Sequence, residues 1–223
     1  MLAQYAVLCS AGLDSAVLVA HLAQFGEVVP LYVSVGLAWE AVEQDYLARL
    51  LATPTFQRGV RPPRTLHFDM RDIYPSSHWA IRGTPPGFDT PDEDVYLVGR
   101  NVVLLTKAAL SAATKKIPKV AIGPLAGNPF PDATPEFFSA MARALSLGLA
   151  HSIEIVAPFA DMHKEDVIKL GVSLGVDLGL TLSCMNPTNG LHCGQCSKCR
   201  ERRDAFAAAG VPDPTRYAAP PPR

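Results

Sequence analysis

The chain has 223 residues, of which 48% are hydrophobic, and a formal net charge of −1 at pH 7. This length suits one sizeable α/β domain, and the near-neutral charge argues against non-specific binding to nucleic acid or to a membrane surface. No apolar run reaches the roughly 18 residues of a membrane span, and the N-terminal residues lack the basic region of a signal peptide. We therefore expect a cytoplasmic protein whose five cysteines are reduced or bound to metal.

Short apolar runs alternate with segments of helical spacing. The predicted strands lie at residues 5–8, 28–33, 65–68, 120–122 and 153–156, and the predicted helices at residues 15–25, 40–51, 101–113, 135–149 and 164–174. Thr134 suits the N-cap of the helix that Pro135 begins. This alternation predicts an α/β fold, a doubly wound and mostly parallel sheet that binds ligands at the carboxyl ends of its strands.

Two segments depart from this alternation. Residues 70–99 are rich in Pro, Gly and Asp and have no clear period, which predicts a long loop without regular elements that closes over the site. The chain from Cys184 onward contains a cysteine-rich segment, a helix through Phe206, and a proline-rich end at residues 220–222 that we expect to fray. We therefore predict an α/β domain at residues 1–183 and a small C-terminal domain at residues 184–223.

A loop of small residues connects the first strand to the first helix. It comprises Cys9, Ser10, Ala11, Gly12, Leu13, Asp14, Ser15 and Ala16. Small residues let backbone N–H groups converge on a phosphate, and the helix N-terminus adds partial positive charge. Asp14 would cap the helix or bind Mg²⁺, and Cys9 suits a small core residue better than a sulfur carrier. From the residues alone, an ordinary strand-to-helix turn is an equal alternative, since a Walker lysine is missing.

Four cysteines near the C-terminus have metal-site spacing. Cys184, Cys193, Cys196 and Cys199 form a C-x8-C-x2-C-x2-C pattern. Two tight turns and one preceding thiolate can complete a tetrahedral Zn²⁺ shell, which leaves no open position for catalysis and would hold the tail on the domain. An iron–sulfur cluster and free thiols are the alternatives. His192 is surplus to a complete shell, and we expect it to face solvent.

Residues 10–15 resemble the Ser-Gly-Gly-x-Asp-Ser signature of the PP-loop (N-type) ATP pyrophosphatases. Ala11 replaces one glycine, which requires a negative φ at that residue. Together with the cysteine spacing, the chain resembles the 7-cyano-7-deazaguanine synthase (QueC/ExsB-like) family. Further matching stretches are Val98-Gly99-Arg100-Asn101, Gly127-Asn128-Pro129-Phe130-Pro131-Asp132, Leu182-Ser183-Cys184 and Arg203-x-Ala-Phe206.

The resemblance implies an adenine nucleotide alpha hydrolase-like fold and an ATP-dependent carbon–nitrogen ligase. Such an enzyme activates 7-carboxy-7-deazaguanine as an acyl adenylate, releases pyrophosphate, and uses ammonia to form the nitrile in queuosine biosynthesis. ATP with Mg²⁺ would bind at residues 9–16, with catalytic contacts from Asp14, Arg100 and Lys164. Asn101 and Asp132 would bind the deazapurine-like substrate. The resemblance also implies a possible homodimer without direct nucleic-acid contact.

Structural alternatives exist for three of these residues. Arg100 suits a salt bridge, Lys164 a solvated first helical turn, and Asp132 a helix cap. The chain also departs from the family pattern, with Gly36-Leu37-Ala38-Trp39-Glu40 where a Gly-Gln-Arg-His type stretch is usual and Ala133-Thr134 where Cys-Arg is usual. These departures leave open a paralogue acting on another carboxylate or amine acceptor, a silent ATP-binding regulatory module, or a tRNA-thiolating PP-loop enzyme.

Overall fold

Parallel strands form the central sheet of the protein, which a computed structural model describes for residues 3–222. Within that range the strands are β1 (Ala3–Leu8), β2 (Gly26–Ser34), β3 (Arg64–His67), β4 (Lys119–Ala121) and β5 (Glu154–Val156). The helices are α1 (Leu13–Leu22), α2 (Glu40–Leu51), α3 (Trp79–Arg82), α4 (Arg100–Thr114), α5 (Pro135–Leu149), α6 (Lys164–Ser173) and α7 (Ser197–Ala209). Met1, Leu2 and Arg223, which belong to the two predicted domains, lie outside the described residues.

The strands lie in the order β3-β2-β1-β4-β5, and each neighbouring pair is parallel. The chain builds outward from β1 to β3 on one side and from β4 to β5 on the other, so the order reverses between β1 and β4. This reversal opens a crevice at the carboxyl ends of these two strands, where doubly wound folds bind ligands. The predicted fold class is confirmed.

Successive strand residues point to opposite sides of the sheet. Both sides are buried, because helices pack against each of them. Val7 and Ala121 belong to the core beneath α1, α2, α6 and α7, whereas Ala6 and Val120 belong to the core beneath α4 and α5. All four side chains are at most 1% exposed. Strands with two buried faces are continuous apolar runs, which is why the sequence predicts them as short hydrophobic segments.

The element boundaries lie close to the predicted ones. Helix α5 spans the predicted residues, and Thr134 Oγ1 accepts a hydrogen bond from the Phe137 N–H at 3.1 Å, so the predicted N-cap is confirmed. Helix α1 begins at Leu13 and ends at Leu22 instead of residue 25, because β2 already begins at Gly26.

Residues 70–99 contain α3 and a 3-10 turn at Asp92–Val95, so the prediction of a loop without regular elements is wrong in part. Met70 and Leu97 are buried in the same core as α4. The Trp79 ring of α3 stacks on Trp39, which precedes α2, with 5.9 Å between the ring centroids. Irregularly spaced apolar side chains therefore hold this segment against the end of the sheet.

The C-terminal segment shares its core with the rest of the chain. The four cysteines and Phe206 lie in the same buried cluster as Val7 of β1. The chain after α7 returns to the cysteine segment, where the Ala218 N–H donates to the His192 carbonyl at 2.8 Å and Arg203 lies 3.9 Å from the centre of the Tyr217 ring. Among residues 3–222, no helix has the length and hydropathy needed to cross a membrane.

Candidate functional site

The loop after β1 turns sharply at Ala11, whose φ is +63°. The negative φ expected for Ala11 is therefore wrong. A residue with a Cβ atom in this left-handed region costs about 1–2 kcal/mol of conformational free energy. Tertiary contacts hold the turn: the Ala11 side chain is fully buried, and its carbonyl accepts a hydrogen bond from the Leu182 N–H at 2.9 Å. Gly12 then forms the N-cap of α1.

Other residues of the predicted phosphate loop divide into two groups. Ser15 Oγ accepts a hydrogen bond from the Ser10 N–H at 3.3 Å and donates to the Gly12 carbonyl at 3.0 Å, which closes the loop. The side chains of Cys9, Leu13 and Ala16 are buried in the core beneath it. Burial raises the pKa of Cys9 to about 11, so its thiol is neutral at pH 7, as expected for a core residue.

Asp14 forms an ion pair with Lys164, the first residue of α6. Lys164 Nζ lies 2.6 Å from Asp14 Oδ2 and 3.1 Å from Glu201 Oε1 of α7. Burial acts to lower the pKa of Lys164, but the two carboxylates raise it above its usual value. Lys164 is thus not the solvated residue of the alternative interpretation, and Asp14 does not cap α1. The Asp14 Oδ1 atom is buried and has no hydrogen-bond partner among the described residues.

Arg100 begins α4 after Gly99, which adopts a φ of +76°. Within residues 3–222 its guanidinium forms no salt bridge, so the structural alternative for Arg100 is not observed. Its Nε atom is buried without a hydrogen-bond partner in the same range. Arg100 therefore places a charged group at the crevice that no described carboxylate neutralises by direct contact.

Asn101 and Asp132 contact each other. Asp132 Oδ2 accepts a hydrogen bond from the Asn101 N–H at 3.1 Å, and Asn101 Nδ2 donates to the Asp132 carbonyl at 3.0 Å. Burial raises the pKa of Asp132, whose side chain is almost fully enclosed. Asp132 thus caps the first turn of α4, in agreement with its structural alternative, and substrate contact by this pair stays a prediction.

Two cavities meet at the loop after β1. One has a volume of about 300 Å³ and extends over the ends of β1, β2 and β4, and the other has about 480 Å³ and extends towards α6 and α7. Asp14, Glu43 and Arg100 line both cavities. Lys164, Lys198 and Glu201 line only the larger one. The structure therefore brings the predicted catalytic residues Asp14, Arg100 and Lys164 to one crevice.

Two buried glutamates of α2 also line the crevice, and the sequence motifs did not indicate them. Glu40 is 8% exposed and accepts hydrogen bonds from the backbone N–H groups of Val35 at 2.7 Å and Gly36 at 3.0 Å, which fixes the end of β2. Glu43 is 6% exposed, and its Oε2 accepts a hydrogen bond from the Tyr32 hydroxyl at 2.8 Å. Both glutamates follow the carboxyl end of a predicted strand, and that position was the available signal for a site.

Glu43 has an unusual electrostatic environment. Burial raises its pKa to about 7, although Arg100 and the Tyr32 hydroxyl favour the ionised form and oppose this shift. The carboxylate also lies near the Ser10 side chain of the loop. Glu43 is thus an acid at the crevice that can gain or lose a proton near pH 7.

The four cysteines converge as predicted. Their sulfur atoms lie within 4.8 Å of one another and all four residues are buried. The Sγ–Sγ distance is 3.6 Å for Cys196 and Cys199 and 4.0 Å for Cys184 and Cys196. A tetrahedral zinc site with Zn–S bonds of about 2.3 Å has sulfur–sulfur edges of about 3.8 Å. The group can therefore hold one metal ion such as zinc.

His192 is buried and not solvent-facing, so that expectation is wrong. It is 1% exposed, and its Nε2 accepts a hydrogen bond from the Ser183 N–H at 3.1 Å. Burial and the neighbouring Arg202 lower the pKa of His192 to about 3, which keeps the ring neutral. The ring packs between Tyr46 and Tyr217 and so connects the cysteine segment with α2 and the chain after α7.

The N-terminal part of α7 holds the segment at residues 86–92. Arg200 donates to the Phe88 carbonyl at 2.7 Å and to the Thr90 carbonyl at 3.0 Å. Lys198 Nζ lies 3.6 Å from Asp92 Oδ1 and 2.5 Å from Glu201 Oε2. Because Cys196 and Cys199 lie in the same turn, the cysteine site and this part of the crevice wall are directly connected.

A family model described as "Queuosine biosynthesis protein QueC" matches residues 4–210. The chain belongs to the QueC family. It is 34% identical over 231 residues to the 7-cyano-7-deazaguanine synthase of Azoarcus sp. (strain BH72), covering 96% of both chains. It is also 34% identical over 233 residues to that of Myxococcus xanthus (strain DK1622), covering 97% of this chain and 98% of the relative. The resemblance stated from the sequence is thus confirmed, and this chain is an enzyme of the QueC family.

A solved structure described as a 4-thiouridine synthetase–RNA complex with bound ATP is similar to this QueC-family chain. It is 12% identical, with a TM-score of 0.48, and the match covers 84% of this chain and 46% of the other. The strand order and the family match are the findings that identify the fold.

Proposed function

We propose that this QueC-family enzyme uses ATP to activate a carboxylate as an acyl adenylate, with release of pyrophosphate. Its relatives are named for the product 7-cyano-7-deazaguanine. In this proposal the product forms from 7-carboxy-7-deazaguanine and ammonia through an amide, whose oxygen a second ATP activates. The observation that carries the proposal is that Asp14 and Arg100 line both cavities, while Lys164 lines the larger one and forms an ion pair with Asp14. One cavity can hold the nucleotide while the other holds the acid, so that the carboxylate meets the α-phosphate at the junction.

Each group at the junction has a defined task in this proposal. Backbone N–H groups at the start of α1 bind the phosphates, with the partial positive charge of the helix N-terminus. Arg100 and Lys164 stabilise the negative charge that develops on the departing pyrophosphate. Asp14 Oδ1 is buried without a hydrogen-bond partner in residues 3–222, so it is available as a metal ligand. Bound Mg²⁺ would neutralise part of the negative charge on the phosphates.

The cysteine group fits a structural Zn²⁺ in this proposal. Its sulfurs are buried, and backbone N–H groups donate to them, as the Cys193 N–H does to Cys184 Sγ at 3.2 Å. Such donors stabilise thiolates. Four sulfur ligands leave zinc without an open coordination position, so the metal would support the fold and take no part in the chemistry.

Pyrophosphate release from Mg-ATP tests the function. The wild-type protein should release it only when 7-carboxy-7-deazaguanine is present, and mass spectrometry should detect the nitrile once ammonium is added. Asp14→Asn should lower this rate by at least about 100-fold, because it weakens the site that would hold Mg²⁺ and removes the charge that positions Lys164. Asp45→Asn, an exposed change in α2, is the matched control and should keep full activity. ATP binding without turnover with any acid would indicate a regulatory module and contradict the proposal.

A paralogue that uses a different acid is the second candidate, and one observation favours it. Trp39 stands in the stretch where the family usually has polar residues, and its stack with Trp79 lines the larger cavity. An aromatic wall without those polar side chains offers fewer hydrogen bonds to the polar edge of a deazapurine ring. Substrate-dependent pyrophosphate release with other carboxylates, but not with 7-carboxy-7-deazaguanine, would support this candidate.

A further inference from the structure

Glu43 occupies the place where the two reactants of the proposed reaction would meet. It lines both cavities together with Asp14 and Arg100, and it lies near Ser10 of the phosphate loop. A side chain that lines both cavities lies beside the place where the two bound reactants would form their new bond.

Other carboxylates at the crevice are held by hydrogen bonds or ion pairs. Glu40 accepts from two backbone N–H groups and from the Ser34 hydroxyl, Asp14 pairs with Lys164, and Asp132 binds Asn101. Each of these carboxylates would lose such a contact on protonation. Glu43 is bound differently, because its partner is the Tyr32 hydroxyl, which favours the carboxylate but can rotate to accept a hydrogen bond from the protonated acid.

The charged and titratable groups around Glu43 come from several elements. Arg100 approaches from α4, Tyr32 from β2 and Glu40 from the same helix. Cys9 faces it from the end of β1. Burial raises the pKa values of both the Cys9 thiol and the Tyr32 hydroxyl, so these two groups stay neutral near pH 7. Glu43 is the member of this group with a pKa near 7, raised there by its burial.

We propose that Glu43 accepts the proton released when ammonia attacks the activated carboxylate. The nitrogen lone pair forms the new C–N bond, the C–O bond to AMP breaks, and its electron pair leaves with AMP. One N–H proton must be lost to give the neutral amide, and the Glu43 carboxylate takes it. A second ATP then adenylates the amide oxygen with release of pyrophosphate, and the nitrile forms as the C–O bond to AMP breaks and its electron pair leaves with AMP. The two N–H protons are lost one at a time, and Glu43 accepts each after it has passed the previous proton to solvent. This role rests on the proposed function, since it requires an acyl adenylate.

Glu43→Gln separates this role from adenylation. The variant preserves the shape of the side chain and can still bind Tyr32, but it cannot accept a proton. Acid-dependent exchange of pyrophosphate into ATP should stay within a few-fold of the wild type. Ammonium-dependent amide formation, followed by rapid quench and mass spectrometry, should fall by about 10²–10⁴-fold. Glu43→Asp should restore part of that loss, and Asp45→Asn should leave both steps unchanged.

Tyr32→Phe gives a second, independent readout. The Tyr32 hydroxyl lowers the pKa of Glu43, so its removal should move the acidic limb of the ammonium step to higher pH while the adenylation profile stays in place. An unmoved limb would overturn the proposal. So would equal losses of exchange and amide formation in Glu43→Gln, which would indicate substrate recognition. If the wild type shows no acid-dependent exchange, the proposed function itself fails, which this assay distinguishes from failure of the Glu43 role alone.

Discussion

Replacing Glu43 by glutamine should change how the stability of the protein depends on pH. In the folded protein burial raises the pKa of this residue from 4.5 to about 7. Between these values the unfolded chain releases a proton that the folded chain retains, so stability falls as pH rises from about 4.5 to about 7. Glutamine carries no titrating proton and removes this contribution.

The magnitude follows from the size of the shift. Each pKa unit corresponds to about 1.4 kcal/mol, which gives at most about 3.5 kcal/mol for the whole interval. Because Glu43 borders two cavities, water can hydrate its carboxylate and reduce the free energy needed to ionise it. We therefore expect a contribution of about 1–3 kcal/mol to the free energy of unfolding. Glu43→Gln should thus unfold with nearly the wild-type free energy at pH 4.5 and should be more stable than the wild type by about 1–3 kcal/mol at pH 8.

Urea unfolding at several pH values between 4.5 and 8 measures this difference directly. Asp45→Asn is the control, because its exposed carboxyl group lies in the same helix and pairs only with Arg49. The control should follow the wild type at every pH. A constant difference between Glu43→Gln and the wild type across this range would refute the reasoning, since it would show that Glu43 has the same pKa in the folded and the unfolded protein.

Three further changes address other features. Ala11→Gly should stabilise the protein by about 0.5–1 kcal/mol in urea unfolding, because glycine relieves the left-handed backbone, and a loss of stability would contradict that conformation. Cys196→Ser should lower the metal content measured by mass spectrometry and reduce the melting temperature by about 6–12 °C, if about 3 kcal/mol of metal binding supports the fold; a stable, metal-free and active variant would disprove a structural metal. Arg200→Ala should increase amide hydrogen exchange in residues 86–92, since two charge-assisted hydrogen bonds are lost, and unchanged exchange would show that other contacts hold this segment.

Local patterns in the sequence identified the framework of the molecule. The alternation of strands and helices predicted the doubly wound sheet, and the Thr134-Pro135 pair predicted the start of α5. The cysteine spacing predicted a site whose four sulfurs do converge. Each of these features is determined by residues that lie close together in the chain, so the sequence contains the full signal.

The remaining features depend on contacts between distant segments. The positive φ of Ala11 is held by Leu182, and the burial of His192 depends on Tyr46 and Tyr217. The crevice role of Glu43 arises only when α2 and α4 are brought together. No local pattern specifies such pairs. The homodimer and the lack of direct nucleic-acid contact stay predictions.

The dependence of the crevice on α7 has a consequence for biosynthesis of the protein. Lys164 reaches Glu201, residues 86–92 are bound by Arg200, and the turn at Ala11 is tied to Leu182. A ribosome makes all three partners well after β1 and the loop that follows it. The nascent chain can therefore begin its sheet early, but the crevice takes its final form only after α7 has been released. In the proposed function, the site would then turn over no ATP until α7 is in place.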